Sequence, residues 1–169
     1  YATINVTSTE NVSSCTLKIT PTPVGTPFIA VTNADWYNSG YTPTARRFYK
    51  NGSVAGTTTF GDRLRGIAVD YNGFMWAARF DGYVMKVNIS DGNTISGYAT
   101  DPVSPGSDLP FGVAVDKLGN VWVTNLGSDS VTKFSNNGVY IGKYSVGDQP
   151  TGIAVDSYNN VWVMNKNHN

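Results

Sequence analysis

Gly66-Ile67-Ala68-Val69-Asp70 recurs as Gly112-Val113-Ala114-Val115-Asp116 and again as Gly152-Ile153-Ala154-Val155-Asp156. Each copy leads through a short polar turn into a second apolar run: Phe74-Met75-Trp76-Ala77-Ala78-Arg79, Asn120-Val121-Trp122-Val123-Thr124-Asn125 and Asn160-Val161-Trp162-Val163-Met164-Asn165. The tryptophans at 76, 122 and 162 are 46 and 40 residues apart. A fixed period of this size marks a stacked repeat architecture, in which each unit buries its faces against its neighbours.

The outer half of the unit repeats as well. Residues 45–62 (ARRFYKNGSVAGTTTFGD) align without a gap on 131–148 (VTKFSNNGVYIGKYSVGD), matching Phe48 to Phe134, Gly52 to Gly138 and Gly61-Asp62 to Gly147-Asp148. That match uncovers a degenerate first unit, with FIAVTN (28–33) as its second strand and TLKIT (16–20) as its first. Asn33, Arg79, Asn125 and Asn165 then share one position. Each unit reads as four short strands bounded by Asn, Gly, Asp or Pro turns. In the third unit they are expected at 112–116, 120–125, 130–135 and 139–145. The inner two are almost continuously apolar, as strands covered on both faces are. The outer strands alternate, and no stretch carries a sustained helical period with caps.

The run Pro150-x-Gly152-Ile153-Ala154-Val155-Asp156, then Asn160-Val161-Trp162-Val163-x-Asn165, together with a V-x-K-F strand and an N-x-G turn in the preceding unit, resembles the NHL repeat and the related streptogramin B lyase-type propellers. The resemblance covers residues 45–165 clearly and 16–44 weakly. It implies an all-β chain of four-stranded antiparallel β-propeller blades at 16–60, 64–100 and 109–147, with a half-blade at 152–165. It says little of function, because propellers host many activities.

Residues 1–15 lie outside the repeat. Ala2 to Ser8 (ATINVTS) alternates and reads as one strand. It is expected to complete the half-blade, either within the same chain or in another copy. Thr3, Asn5 and Thr7 on one side, and Val161, Trp162, Val163 and Asn165 on the other, are the candidate assembly residues. An open strand edge with an apolar face needs a partner, and head-to-tail contacts give rings or filaments.

Composition narrows the classes. Twelve basic and twelve acidic side chains balance, so neither a nucleic-acid partner nor an anionic membrane surface is implied. No apolar run approaches the roughly 20 residues of a membrane-spanning helix. Charged residues are 14% of the chain, against roughly 25% in ordinary soluble proteins. A polar, uncharged surface and a first residue Tyr1 are expected of a processed extracellular or cell-surface chain, or of a fragment of a longer one. The single cysteine, Cys15, forms no disulfide within the chain and reads as a small buried residue; a bridge to another chain is its sharper reading. The sequons Asn5-Val6-Thr7, Asn11-Val12-Ser13, Asn51-Gly52-Ser53 and Asn88-Ile89-Ser90 make Asn5, Asn11, Asn51 and Asn88 glycosylation candidates.

Catalytic residue types are scarce. Lyase-type propellers use His and Glu near the central channel. This chain has one histidine, His168, and one glutamate, Glu10, both outside the repeat positions. Acid–base catalysis needs such groups to converge, so no catalytic residue is expected. Lactonase-type propellers bind a divalent cation through Glu, Asp and Asn. Here Asp62, Asp108 and Asp148, each ahead of a new blade, are the weak candidates for Ca²⁺, an ion that takes oxygen ligands; loop capping is their plainer role, and no cofactor is expected. Asp70, Asp116 and Asp156 read as Asx turns, and Trp76, Trp122 and Trp162 as core between blades. Trp36, Tyr37 and Tyr41 sit in the insertion 34–44 (ADWYNSGYTPT), a candidate loop for contact with a ligand or partner.

Overall fold

The computed structural model describes residues 18–19, 29–33 and 42–166. Every element among them is a strand. β1 (Lys18–Ile19), β2 (Ile29–Asn33), β3 (Thr44–Phe48) and β4 (Val54–Thr59) form one antiparallel sheet in chain order. β5 (Leu64–Val69), β6 (Phe74–Arg79), β7 (Tyr83–Asn88) and β8 (Thr94–Ala99) form a second, and β9 (Pro110–Val115), β10 (Val121–Asn125), β11 (Ser130–Phe134) and β12 (Tyr140–Ser145) a third. β13 (Pro150–Val155) and β14 (Val161–Asn165) make a two-stranded sheet. These sheets are blades one to four. β5 lies beside β9 and β9 beside β13, so the first strands of successive blades are neighbours. That is how propeller blades stand around their axis. The described residues form part of such a ring, and its ends are not joined.

The inner strands start two residues ahead of the glycines expected to open them, at Pro110 and Pro150. Their register shifts on the way: β9 against β10 between Val123 and Asn125, β13 against β14 between Pro150 and Gly152. β5 shifts likewise between Leu64 and Ile67. Proline and glycine argue against a strand in a pattern reading, yet proline is tolerated as a strand's first residue and glycine at a bulge.

Alternation along each strand sends side chains to the two neighbouring blades. In β6, Met75 and Ala77 face blade one, joining Ala45, Phe60, Leu64, Ile67, Met85 and Val87 in one buried cluster. Trp76 and Ala78 face blade three, with Ala68, Val84, Val113, Val121, Val123 and Phe134. The core is therefore a series of layers between blades. Among the described residues no helix is long and apolar enough to cross a membrane. The tail Ala2–Ser8, Glu10, Asn11, Cys15, the loop residues Trp36, Tyr37 and Tyr41, and His168 lie outside the described residues.

Candidate functional site

Three devices recur along the chain, one within a blade and two between neighbouring blades. The first is a carboxylate. Asp70 Oδ1 accepts the backbone N–H of Asn72 (2.8 Å) and of Phe74 (3.0 Å), and its Oδ2 accepts the Trp76 indole N–H at 2.8 Å. Asp116 does the same with Leu118, Asn120 and Trp122, and Asp156 with Tyr158, Asn160 and Trp162. The Asn120 and Asn160 side-chain amides add a further bond each, at 2.8 and 2.9 Å. The aspartates are Asx-turn residues as expected, and they also hold the tryptophan of the following strand. The signal was in the sequence: Asp and Trp stand six apart in all three units. The turn's tightest residue has positive φ, and it is Gly73 (82°), Gly119 (83°) and Asn159 (70°) in the three units, the residue types that tolerate it.

The Asp156 carboxyl is held down to about 2 against an ordinary 3.8. The Asn160 amide is the main cause. Partial burial opposes it, and the Trp162 indole and the N–H groups of Asn160 and Tyr158 add to it. Because the folded form holds its charge to lower pH than the unfolded chain does, the contribution is complete above pH ~4. It fades as pH falls through about 2. An NMR titration of the Asp156 carboxyl carbon is expected to have its midpoint near 2; a midpoint near 3.8 would mean that these bonds are not made in solution.

The second device is glycine. A Cβ on Gly66 would lie 2.5 Å from Phe111 O and 2.8 Å from Gly112 Cα and Val113 N. On Gly112 it would meet Thr151 O, and Thr124 Oγ1 at 3.0 Å. Inner strands of adjacent blades thus touch backbone to backbone. Thr124 closes the second of these contacts: its hydroxyl accepts the Gly112 N–H (2.7 Å) and donates to Thr151 O (3.0 Å). At Gly152 the atoms nearest a Cβ belong to Met164 of the same blade.

The third device is a cation on the third strand. Arg47 donates to Ile89 O (2.6 Å) and Asp91 O (3.0 Å) in blade two, and Lys86 donates to Asn136 O (2.6 Å) in blade three.

At blade four these devices meet no further blade. Trp76 and Ala78 are fully buried, while Trp162 and Met164 at the same positions are 64% and 62% exposed. Ala154 is exposed beside them. The expectation that Trp162 is core between blades is therefore corrected. Its own blade shields one face only, and the described residues place nothing against the other. Blade three shows the same gradient: Ala114 and Thr124, on the strands that meet β13, are fully buried, Trp122 is half-buried, and Tyr144 is 47% exposed. Within the described residues β14 pairs with β13 alone, so its outer edge carries unpaired backbone groups.

The remaining candidates scatter. Asp62 accepts the Arg63 backbone N–H at 2.6 Å and pairs with its guanidinium at 3.3 Å. Asp108 is fully buried and accepts from Lys143 at 2.6 Å, while Asp148 is exposed. Lys143 also bridges to Asp101 at 2.9 Å. Burial lowers the Lys143 pKa, but the bonds to Asp108 and Asp101 outweigh it and the ammonium is held above its ordinary value. Among the described residues no three His, Cys, Asp or Glu groups cluster as metal ligands. Asn125 is fully buried and donates to Ser130 Oγ (3.0 Å) and Thr132 Oγ1 (2.8 Å), tying β10 to β11 rather than capping a turn. Arg79, which replaces that asparagine in blade two, pairs with Asp81 at 2.7 Å and lies over the Tyr83 ring. Of the sequons, Asn51 Oδ1 accepts the Ser53 N–H and hydroxyl (3.0 and 2.7 Å), and Asn88 Oδ1 those of Ser90 (2.9 and 2.8 Å). Asn51 follows the third strand of blade one and Asn88 ends that of blade two, with Asn51, Ser53 and Ser90 exposed. Asn5 and Asn11 are outside the described residues.

No family model matches the chain, and no curated protein matches it in sequence. Solved propellers do match in fold. A functionally unknown protein from Desulfotomaculum acetoxidans is similar at TM-score 0.71 and 18% identity, over 92% of this chain and 50% of that one. Virginiamycin B lyase from Staphylococcus aureus is similar at TM-score 0.62 and 15% identity, over 86% of this chain and 61% of that one. A gluconolactonase from Xanthomonas campestris is similar at TM-score 0.62 and 15% identity, over 84% and 52%. The chain thus spans between 50% and 61% of the length of these propellers. At such identity the likeness carries the blade architecture and no chemistry.

Proposed function

We propose that this is a non-catalytic, extracellular structural protein whose propeller blades serve assembly, with copies joining head to tail through the open side of blade four into a ring or a surface filament. One observation carries the reading. Trp162 and Met164 stand 64% and 62% exposed, beside the outer edge of β14, at positions that are sealed between blades two and three. A solvent-exposed tryptophan inside a nearly apolar strand is a docking surface by composition, and an open edge adds backbone pairing to it.

The same reading accounts for the rest of the chain. Its low charge suits an extracellular surface, and the exposed Asx turn at Asn51 suits glycan attachment better than the one at Asn88, where the asparagine is half-buried and Ile89 is buried. Neither nucleic acid nor a membrane span enters. Two of the similar propellers are a lyase and a lactonase. For this chain lyase or lactonase activity is the lesser reading, since its single histidine and single glutamate fall outside the repeat positions. A ligand-binding monomer recognising a sugar or protein through its loops is another.

Light scattering of the native protein in dilute buffer tests assembly. The expected mass is a multiple of 18.2 kDa, and Trp162→Lys is expected to return the protein to a monomer with unchanged circular dichroism. A wild-type protein that stays a compact monomer at all concentrations would overturn the reading.

A further inference from the structure

Asparagine is followed by glycine at 51–52, 72–73 and 137–138. Such a pair can react with itself. The glycine nitrogen attacks the side-chain carboxamide carbon, with no following side chain to crowd it, and this is one source of the thermal lability of asparagine. All three pairs lie in turns joining consecutive strands of a blade. In each the asparagine is exposed, and the glycines have φ of 82°, 82° and 81°. Three conditions separate them. The carboxamide must be open to attack, the glycine N–H must be free to give up its proton, and the glycine must have room to move.

Asn51 fails the first condition. Its Oδ1 accepts the Ser53 N–H and hydroxyl at 3.0 and 2.7 Å, which turns the carboxamide toward Ser53. The Gly52 N–H is also held, by Tyr49 O at 2.9 Å. Gly138 fails the other two. Its N–H donates to Ser135 O at 2.9 Å, and the Tyr98 ring occupies the space that a Cβ would need. Asn72-Gly73 meets all three. The Asn72 carboxamide makes no hydrogen bond among the described residues. The Gly73 N–H lies 3.3 Å from Asp70 O, against 3.0 Å for Gly119 N–H to Asp116 O and 3.1 Å for Asn159 N–H to Asp156 O in the equivalent turns. The atom nearest a Cβ on Gly73 would be Ile89 Cγ2, at 3.8 Å.

We propose that Asn72-Gly73 is a self-modification site, at which Asn72 is converted through a cyclic imide to aspartate and isoaspartate. Gly73 N bonds to Asn72 Cγ, the Cγ–Nδ2 bond breaks, and ammonia leaves with the proton that Gly73 gives up. Water then opens the ring. Addition at Cγ leaves aspartate; addition at the main-chain carbonyl carbon leaves isoaspartate, whose backbone is one methylene longer. The site is the turn that Asp70 holds. Asp70 Oδ1 spans the N–H groups of Asn72 and Phe74, and Oδ2 takes the Trp76 indole. An extra methylene between residues 72 and 73 drives the first two donors apart, and the new carboxylate stands two residues from that of Asp70. The equivalent turns carry Leu118-Gly119 and Tyr158-Asn159, so conversion loosens the aspartate–tryptophan turn of blade two and spares those of blades three and four.

The test ages the full chain in mildly alkaline buffer and reads each asparagine by proteolysis and mass spectrometry, with isoaspartate separated from aspartate by chromatography. Asn72 is expected to convert several-fold faster than Asn51 or Asn137, with release of ammonia, and the isoaspartate form to melt at a lower temperature than fresh protein. In urea-unfolded protein the three sites are expected to convert at similar rates, which would assign the order to the fold. Gly73→Asn is expected to block conversion at 72 and keep the turn, because Asn159 holds this position in blade four at φ 70°. Should that variant not fold, the order of the three sites in the wild-type protein decides alone. Conversion of Asn72 no faster than that of Asn51 and Asn137 in the folded protein, or an isoaspartate form that melts with fresh protein, would overturn the proposal.

Discussion

Trp76→Ala is expected to cost about 3–5 kcal/mol of unfolding free energy, the range for removing a fully buried large aromatic, while Trp162→Ala changes the stability of the isolated chain by under ~1 kcal/mol. The two residues have the same strand position, the same aspartate six residues before them and the same indole bond. They differ in what stands opposite. Trp76 is fully buried among Ala68, Ala78, Val84 and, across the interface, Val113, Val121, Val123 and Phe134. Its removal leaves a cavity between two four-stranded blades and a buried Asp70 oxygen without its donor, and the two costs add. Trp162 is 64% exposed, so truncation there opens no cavity. Urea unfolding of the two variants measures the contrast. Equal costs would mean that the open side of blade four is covered in solution, and a concentration-dependent cost for Trp162→Ala would point to another copy as the cover.

Gly66→Ala is expected to cost about 3 kcal/mol, the upper end of the range for overpacked core substitutions. Its added methyl meets backbone, at 2.5 Å from Phe111 O and 2.8 Å from Gly112 Cα, and backbone within a bulged strand has no rotamer to relax into. The whole of blade two must move from blade three to admit one carbon. Gly152→Ala is the control. There the nearest atom is Met164 Cε at 3.1 Å, the far end of a flexible and exposed side chain that can turn away, so the expected cost is within ~1 kcal/mol. Thermal unfolding of the pair reads the difference. Comparable losses would sink the claim that close backbone approach is what reserves this repeat position for glycine.

The repeat was legible because propeller blades are nearly identical environments. The aspartate of each inner half answers the same local demand, holding its turn and the indole six residues on, so the pair recurs at readable spacing. The fourfold strand pattern and the hidden first blade followed from it. The inner strand starts were less legible, because Pro110, Pro150 and the bulges near Gly112 and Gly152 break the apolar run that marks a strand. That β14 pairs on one side only among the described residues was legible at Val161 to Asn165, since a two-strand remainder of a four-strand unit is a matter of counting. The cations of the third strand were not. A lone Arg47 or Lys86 on an alternating outer strand has the pattern of a solvated side chain, and only the tertiary structure shows each reaching forward to turn carbonyls of the next blade.

The sequence by itself determined the blade, its period and its turn chemistry, because those depend on contacts within about 40 residues that every copy repeats. The tertiary structure decided which copies of a residue are equivalent in energy. Trp76 and Trp162 read alike, yet one is sealed and the other open, since burial belongs to the pair of faces that meet and not to the strand that carries the side chain.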